Sequence, residues 1–300
     1  MKADRSSNVW IARSLGAAAC VGLAGLGAAL GHAPGALVGA LAGAGTAFAL
    51  DRAAGEQRKR RRQALAQPFP ESWRKYLLTA YDHYERLSPP LRERFERDVR
   101  VFLADKRITG VGVEVNDDLR LLVAASAVTL SLAWDDFEWD VLTEVLLYPE
   151  NFDRDYGFES ADLAGQAHPW GTVILSVPAL YESFEHPDDA FHVGLHEFAH
   201  LVDLADDSRM EGIPAGLDEG RQRQWVAIAE KEMARLQRGG RSVIDDYGAD
   251  EPAEFFAVAV EAFFEAAQAV RRDHAELYTF LTGYFAQDPA AWDDARGLRP

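Results

Sequence analysis

Val193-Gly194-Leu195-His196-Glu197-Phe198-Ala199-His200-Leu201-Val202 reads as a helix with three polar side chains set into an apolar run. Four residues apart on a helix, His196 and His200 fall on one face at adjacent turns. Both imidazoles can then reach one ion, while Glu197 projects beside them toward a bound water. Zn2+ suits imidazole and carboxylate ligands, and a catalytic zinc site keeps one position open for water. In that chemistry the metal acidifies the water, Glu197 takes its proton as general base, and the nucleophile attacks a carbonyl. Peptide-bond hydrolysis is the natural reaction. The alternative is a pair of ordinary core histidines, but Leu195, Phe198, Ala199 and Val202 bury this helix, where unpaired imidazoles are costly. A cap on Asp188 or Asp189 is expected to start the helix, which should end near Leu204.

Two imidazoles need a third ligand. Downstream, Pro252-Ala253-Glu254-Phe255-Phe256-Ala257-Val258-Ala259-Val260-Glu261-Ala262-Phe263-Phe264 makes a second apolar helix, interrupted by two carboxylates seven residues apart and hence on one stripe. A carboxylate inside such a helix needs a metal, a donor or a proton. Glu254, in the first turn and close to the loop that carries Tyr247, is the expected ligand, and the Tyr247 phenol is placed to donate to a developing oxyanion. Glu261 fits the role of orienting a ligating histidine, with a surface position as its alternative, and Glu265 is expected to be solvated. Asp206 competes as third ligand. It lies ten residues after His196, the spacing of zinc peptidases that continue the motif on a short turn, but that turn begins with glycine where this chain has Asp203. Asp203 would either hydrogen-bond a ligand or cap the helix end. His192, one turn before His196, is read as structural, because as a fourth ligand it would close the site.

Outward from these helices, helical and extended patterns alternate after Trp73 with no internal repeat. Ser88-Pro89-Pro90 opens a charged helix to about Leu103, and Asn116-Asp117-Asp118 caps a buried helix over residues 119–133. Residues 141–148 and 172–177 are rich in β-branched and aliphatic side chains and bounded by Pro149 and Pro178, so both read as strands. The second is the expected edge for pairing with an extended peptide. Further helices are expected near residues 222–238 and from Pro252 to about Ala269. An α+β domain results, mostly helical with a small sheet.

The N-terminal part differs. Residues 14–50 contain no Asp, Glu, Lys or Arg and are built mainly from Ala, Gly, Leu and Val. A span needs about 20 apolar residues, and this run divides near His32-Ala33-Pro34 into two marginal halves, which predicts a tight transmembrane helical hairpin. Lys2, Arg5 and Arg13 precede it; Arg52, Arg58 and Lys59-Arg60-Arg61-Arg62 follow it. The positive-inside rule then puts both ends in the cytoplasm. Glycines 27, 31, 35, 39 and 43 recur every four residues, a spacing that lets membrane helices approach closely. A cleaved signal peptide, a single tilted span and a flexible Ala/Gly tract are the alternatives. Residues 51–70 read as a juxtamembrane linker.

Composition sets the limits. Three hundred residues with 48% hydrophobic and 26% charged content can bury a core, and the single cysteine, Cys20, forms no internal disulfide, so a reducing compartment is expected. Residues 1–62 carry nine Lys/Arg against three acids, while residues 63–300 carry 22 against 45. A body that acidic repels phosphate backbones, which argues against nucleic acid as a partner.

With these residues in hand, the chain resembles the zinc peptidases similar to Mlc titration factor A, themselves similar in active-site pattern to the anthrax lethal factor peptidase domain. The resemblance rests on Ile108-Thr109-Gly110, residues 119–127, Leu147-Tyr148-Pro149, residues 171–176 and the run from His192 to Asp203. Gly212-Ile213-Pro214, residues 247–264, Leu277-Tyr278 and Gln287-Asp288-Pro289 complete it. It implies a zincin-like fold, His196, His200 and Glu254 as zinc ligands, Glu197 as base and Tyr247 as transition-state donor. The family is linked to aminopeptidase activity and to binding a sugar-uptake repressor, although no motif here carries the second role. Its members usually lack membrane spans. The resulting expectation is a Zn2+ peptidase domain over residues 63–300 behind a membrane hairpin over residues 1–62, held on the inner membrane and facing the cytoplasm, acting on a peptide or protein substrate. Its rivals are a zinc-containing regulatory protein that sequesters a transcriptional repressor or other partner at the membrane, and an oligomerising membrane module with the soluble body as sensor.

Overall fold

A computed structural model describes residues 33–135, 137–158, 162–206 and 209–295. The chain divides into two units, Met1–Gln67 with Asp135–Phe137, and Pro68–Trp134 with Glu138–Pro300. In the first, α1 runs unbroken over Ala33–Ala66. The linker expected over residues 51–70 is therefore helical as far as Ala66, because Ala, Arg, Lys, Gln and Glu all favour helix. Among the described residues no helix is long and apolar enough to cross a membrane. The second half of the expected hairpin opens α1, which runs on through the charged residues from Asp51. The first half, residues 14–31, lies outside the described residues.

The second unit holds the helices α2 (Glu71–Ala80), α3 (Asp82–Arg86), α4 (Pro89–Asp105), α5 (Asp117–Ser131), α6 (Val177–Glu185), α7 (Val193–Leu204), α8 (Glu219–Gln237), α9 (Pro252–Glu265), α10 (Ala267–Asp273), α11 (Ala275–Phe285) and α12 (Pro289–Ala295). One sheet accompanies them: β1 (Arg107–Gly110), β2 (Glu144–Tyr148), β3 (Gly165–Ala167) and β4 (Thr172–Ser176), in the order β1-β2-β4-β3. β1, β2 and β4 are parallel, and β3 closes the sheet antiparallel to β4. The α+β architecture, mostly helical with a small mixed sheet, is as expected. β4 is not the edge, however. It lies between β2 and β3 with all five residues buried, as a strand apolar on both faces should be. The free edge beside α7 belongs to β3, which has only three residues and no sequence signal.

α5 and α9 pack on either side of α7, the helix that carries His196 and His200. α5 is capped as expected: Asn116 Oδ1 accepts from Leu119 N at 2.9 Å, and residues 121–130 are all buried. It comes so close to α7 that a Cβ on Gly194 would lie 2.2 Å from Ser126 Oγ. α9 is buried from Phe255 to Phe264, apolar except at Glu261, as an interior helix must be. It ends earlier than expected, at Glu265, where Ala266 leaves helical geometry before α10.

Candidate metal centre

α7 begins at Val193. Its cap is His192, whose Nδ1 accepts from Leu195 N at 3.2 Å, and not Asp188 or Asp189. Asp189 instead accepts from Phe191 N, two residues on, in a local turn that precedes the helix. Burial lowers the His192 imidazole to about 3, so this ring is neutral and packs edge-on against Phe184. The structural role expected for His192 fits that geometry.

On the buried face of α7, His196 and His200 stand one turn apart with ring centroids at 4.9 Å. Glu254, from the first turn of α9, meets both: its Oε2 lies 3.1 Å from His196 Nε2 and 3.5 Å from His200 Nε2. The ligand atoms of His196, His200 and Glu254 all fall within 4.8 Å of one another, and no other such group of His, Cys, Asp or Glu occurs among the described residues. Two turns further along α9, Glu261 accepts from the backbone N of His192 and pairs with His196 Nδ1 at 2.7 Å, which fixes the ring with Nε2 toward Glu254. Glu265, one turn beyond, is half-buried and not solvated. Burial and the charges of Asp189 and Glu261 push its carboxyl up to about 10.

The other predicted residues are distributed as follows. Glu197 is buried on α7, with Oε2 lacking a hydrogen-bond partner. Tyr247 sits on the single 3-10 turn Asp246–Ala249, half exposed, its ring centroid 6.5 Å from that of His196. Asp206 is not brought to the centre; it accepts from Gly216 N. Asp203 neither bonds a ligand nor caps the helix. Its carboxylate accepts from Gly212 N at 2.7 Å and Ile213 N at 3.0 Å. That loop is pressed on the start of α9, since Gly212, at φ +74°, has no room for a Cβ beside the Pro252 carbonyl. Asp203 thus ties the end of α7 to the turn that presents Glu254.

The electrostatics are those of a site short of positive charge. Glu197, Glu254 and Glu261 converge on two imidazoles, and no Lys or Arg hydrogen-bonds to any of the three among the described residues. Burial pushes the Glu197 carboxyl up, against the pull of both imidazoles. For Glu254 burial acts in the same direction, but hydrogen bonds from His196 and His200 prevail and hold it well below the usual carboxylate range. Burial alone would lower His196; the charge of Glu261 and the bonds to both glutamates raise it well above its ordinary value. The borderline donor set, two imidazole nitrogens and a carboxylate oxygen, together with the unpartnered Oε2 of buried Glu197, fits a divalent cation of the zinc class.

The centre opens into a cavity of about 770 Å3. Residues that sequence reading missed form its walls: Gly165 and Ala167 on β3, Leu163 just before it, Phe191 before α7, Met210 and Arg154. Only Phe191 carried a usable signal, as an aromatic residue just outside a helix.

Residues 55–286 match the family model of the glucose-regulated metallo-peptidase M90. The chain belongs to that family. Among its relatives, an uncharacterized protein of Synechocystis sp. is 31% identical over 245 residues, covering 77% of this chain and 89% of the relative. Mlc titration factor A of Edwardsiella ictaluri is 29% identical over 74% of this chain and 88% of its own length, and that of Cronobacter sakazakii 30% identical over 68% and 82%. The resemblance to proteins similar to Mlc titration factor A, drawn from stretches between Ile108 and Pro289, is borne out. The M90 match begins inside α1 and ends at the close of α11, so it contains every residue of the centre described above.

Proposed function

We propose that this M90 member is a zinc-dependent peptidase of aminopeptidase type. The observation that carries the reading is the convergence of His196, His200 and Glu254 at the floor of a large cavity, with Glu197 beside them and a free strand edge, β3, along the wall. A divalent ion held by those three side chains supplies Lewis acidity to water and to a substrate carbonyl. The remaining work falls to the chain's own residues. The backbone of β3 aligns an extended peptide by strand addition. Glu197, its basicity raised by burial, accepts a proton from the attacking water and delivers it to the departing amine as the C–N bond breaks. Tyr247 is near enough to donate to the oxyanion. Glu261 holds His196 in register.

Glu197→Gln tests this reading. Hydrolysis of a mixed peptide library should fall by roughly 100- to 10,000-fold while metal content stays at the parental level. Undiminished cleavage by the variant would overturn the assignment. A second reading, a regulatory protein partner, draws on the relatives whose name is Mlc titration factor A. Binding of such a regulator that survives Glu197→Gln would separate it from catalysis.

Association with the inner membrane on its cytoplasmic side is also proposed. It is supported by the uncharged run 14–50 and the basic block Arg58-Lys59-Arg60-Arg61-Arg62 that follows it. The full chain should sediment with membranes and a chain lacking residues 1–62 should not; equal sedimentation removes the proposal.

A further inference from the structure

Gly165 is the β3 residue turned toward α7. A Cβ at this position would lie 2.6 Å from Glu197 Oε1, 2.7 Å from Glu197 Cγ and 2.8 Å from Val193 Cγ2. Its φ is not in the left-handed region, so space and not backbone conformation demands glycine. β3 is held in place from its other side: Ala164 O accepts from Ser176 N and His168 N donates to Thr172 O, each at 2.8 Å. Those bonds make Gly165 and Ala167 the positions whose own N–H and C=O turn away from β4 toward the open edge. Gly165 therefore has two neighbours of functional interest. In the plane of the sheet its backbone faces the space where an extended chain would pair, and out of the plane its missing side chain is replaced by the carboxylate of Glu197.

We propose that Gly165 is a positioning residue for the general base: the bare backbone lets the edge strand close onto Glu197 and fixes its carboxylate against the strand that aligns the substrate. The inference rests on the peptidase reading above. Among the described residues no hydrogen bond holds Glu197, and its Oε2 is buried without a partner; its closeness to the β3 backbone at Gly165 is what confines it. Any side chain at 165 must displace either a strand pinned by β4 or a side chain with three rotatable bonds, and the side chain yields. The base then swings away from the attacking water while the edge that binds peptide stays where it was.

Gly165→Ala, in the full-length metal-loaded chain, is expected to lower kcat by about 100-fold, as an ångström-scale misplacement of a reacting group does, with KM within about threefold of the parent. Its metal content should be unchanged. A melting cycle supplies a readout that needs no activity. Gly165→Ala should lower Tm by roughly 3–8 °C from overpacking, and most of that loss should vanish when it is made on Glu197→Ala. An equal Tm loss in both backgrounds assigns the crowding to Val193 and overturns the proposal, as does a parental kcat in Gly165→Ala. If Gly165→Ala is insoluble, a soluble Gly165→Ala/Glu197→Ala chain supports the contact and an insoluble one overturns it. Should the parent cleave no peptide at all, the peptidase reading fails by itself, and the melting cycle still decides whether Gly165 and Glu197 are coupled.

Discussion

Among the described residues stand two histidine–carboxylate clusters that differ in what surrounds the same pair. His196 Nδ1 meets Glu261 at 2.7 Å; His274 Nδ1 meets Glu232, from α8, at the same 2.7 Å. Around His274 every valence is used. Its Nε2 pairs with Ser242 Oγ at 3.0 Å, Ser242 Oγ accepts from Ile244 N, and Arg235 lies 3.7 Å from Glu232. The His274 side chain is sealed, and the arrangement ties the 239–244 loop to α8 and the start of α11. Around His196 the accounting stays open: His200 Nδ1 and Glu197 Oε2 have no partner, carboxylates outnumber cations, and the pair faces a cavity. A His–carboxylate contact is therefore no sign of chemistry in itself. The sign is an excess of carboxylates over cations around a pair that borders a cavity.

The sharpest way to break this contrast is to remove Glu254. Glu254→Ala should weaken metal binding by on the order of 1000-fold, read by metal analysis after dialysis against a weak chelator, with little change in fold. Metal retained at parental stoichiometry would mean that the open cluster is as structural as the closed one. His274→Ala should do the reverse. It leaves Glu232 buried without its bonded partner and should cost about 3–5 kcal/mol in urea unfolding, while metal content per folded molecule stays constant. A smaller effect is expected for Glu261→Gln, which keeps the shape but not the charge that orients His196. Metal affinity should fall by roughly 10- to 100-fold, the usual scale for partners of ligating histidines. An unchanged affinity would show that Glu261 serves only the His192 backbone N–H.

Much of the open cluster could be read from sequence because it is written in helix periodicity. His196, His200, Glu254 and Glu261 are all placed by counting turns along apolar runs, and an apolar helix interrupted by a carboxylate poses a question that a ligand answers. The closed cluster draws its members from a helix, a loop and a helix cap, at positions 232, 242 and 274, with no spacing rule linking them. β3 was illegible for another reason: Gly-Gln-Ala is too short for alternation and lacks β-branched residues, and its place is set by β4. The misplaced edge was avoidable. Thr-Val-Ile-Leu-Ser is apolar on successive residues, the pattern of a strand covered on both faces. The cap was misassigned because Asp188 and Asp189 have the commoner capping side chains, while His192 caps through Nδ1 only once its ring is buried and neutral.

Asp203 supplies the finest test, because it is a buried carboxylate with no histidine bonded to it. For Glu232, burial raises the pKa but the bond and charge of His274 outweigh it, so the carboxyl lies below its ordinary value. Asp203 has the backbone amides of the 211–213 loop and the charge of His200, yet burial wins, raising it from 3.8 to about 6. The signs of their linkage to folding are opposite. A depressed carboxyl gives stability that is present above the unfolded pKa and lost as pH falls through the folded one. A raised carboxyl gives stability that is complete below the unfolded pKa and lost as pH rises through the folded one. Between pH 5 and pH 7 Asp203 should therefore withdraw about 1 kcal/mol, a Tm decrease of roughly 2–4 °C in a unit of this size. Asp203→Asn, which does not titrate, should remove this loss across the whole window from the unfolded pKa of 3.8 to about 6, leaving only the opposite contribution of Glu232, whose carboxyl lies below its ordinary value. If the slope between pH 5 and pH 7 persists in Asp203→Asn, the carboxylate is ionised throughout and its two amide bonds outweigh its burial. Asp203 would then belong with the satisfied groups of the closed cluster, and the distinction between the two regions would rest on the cavity alone.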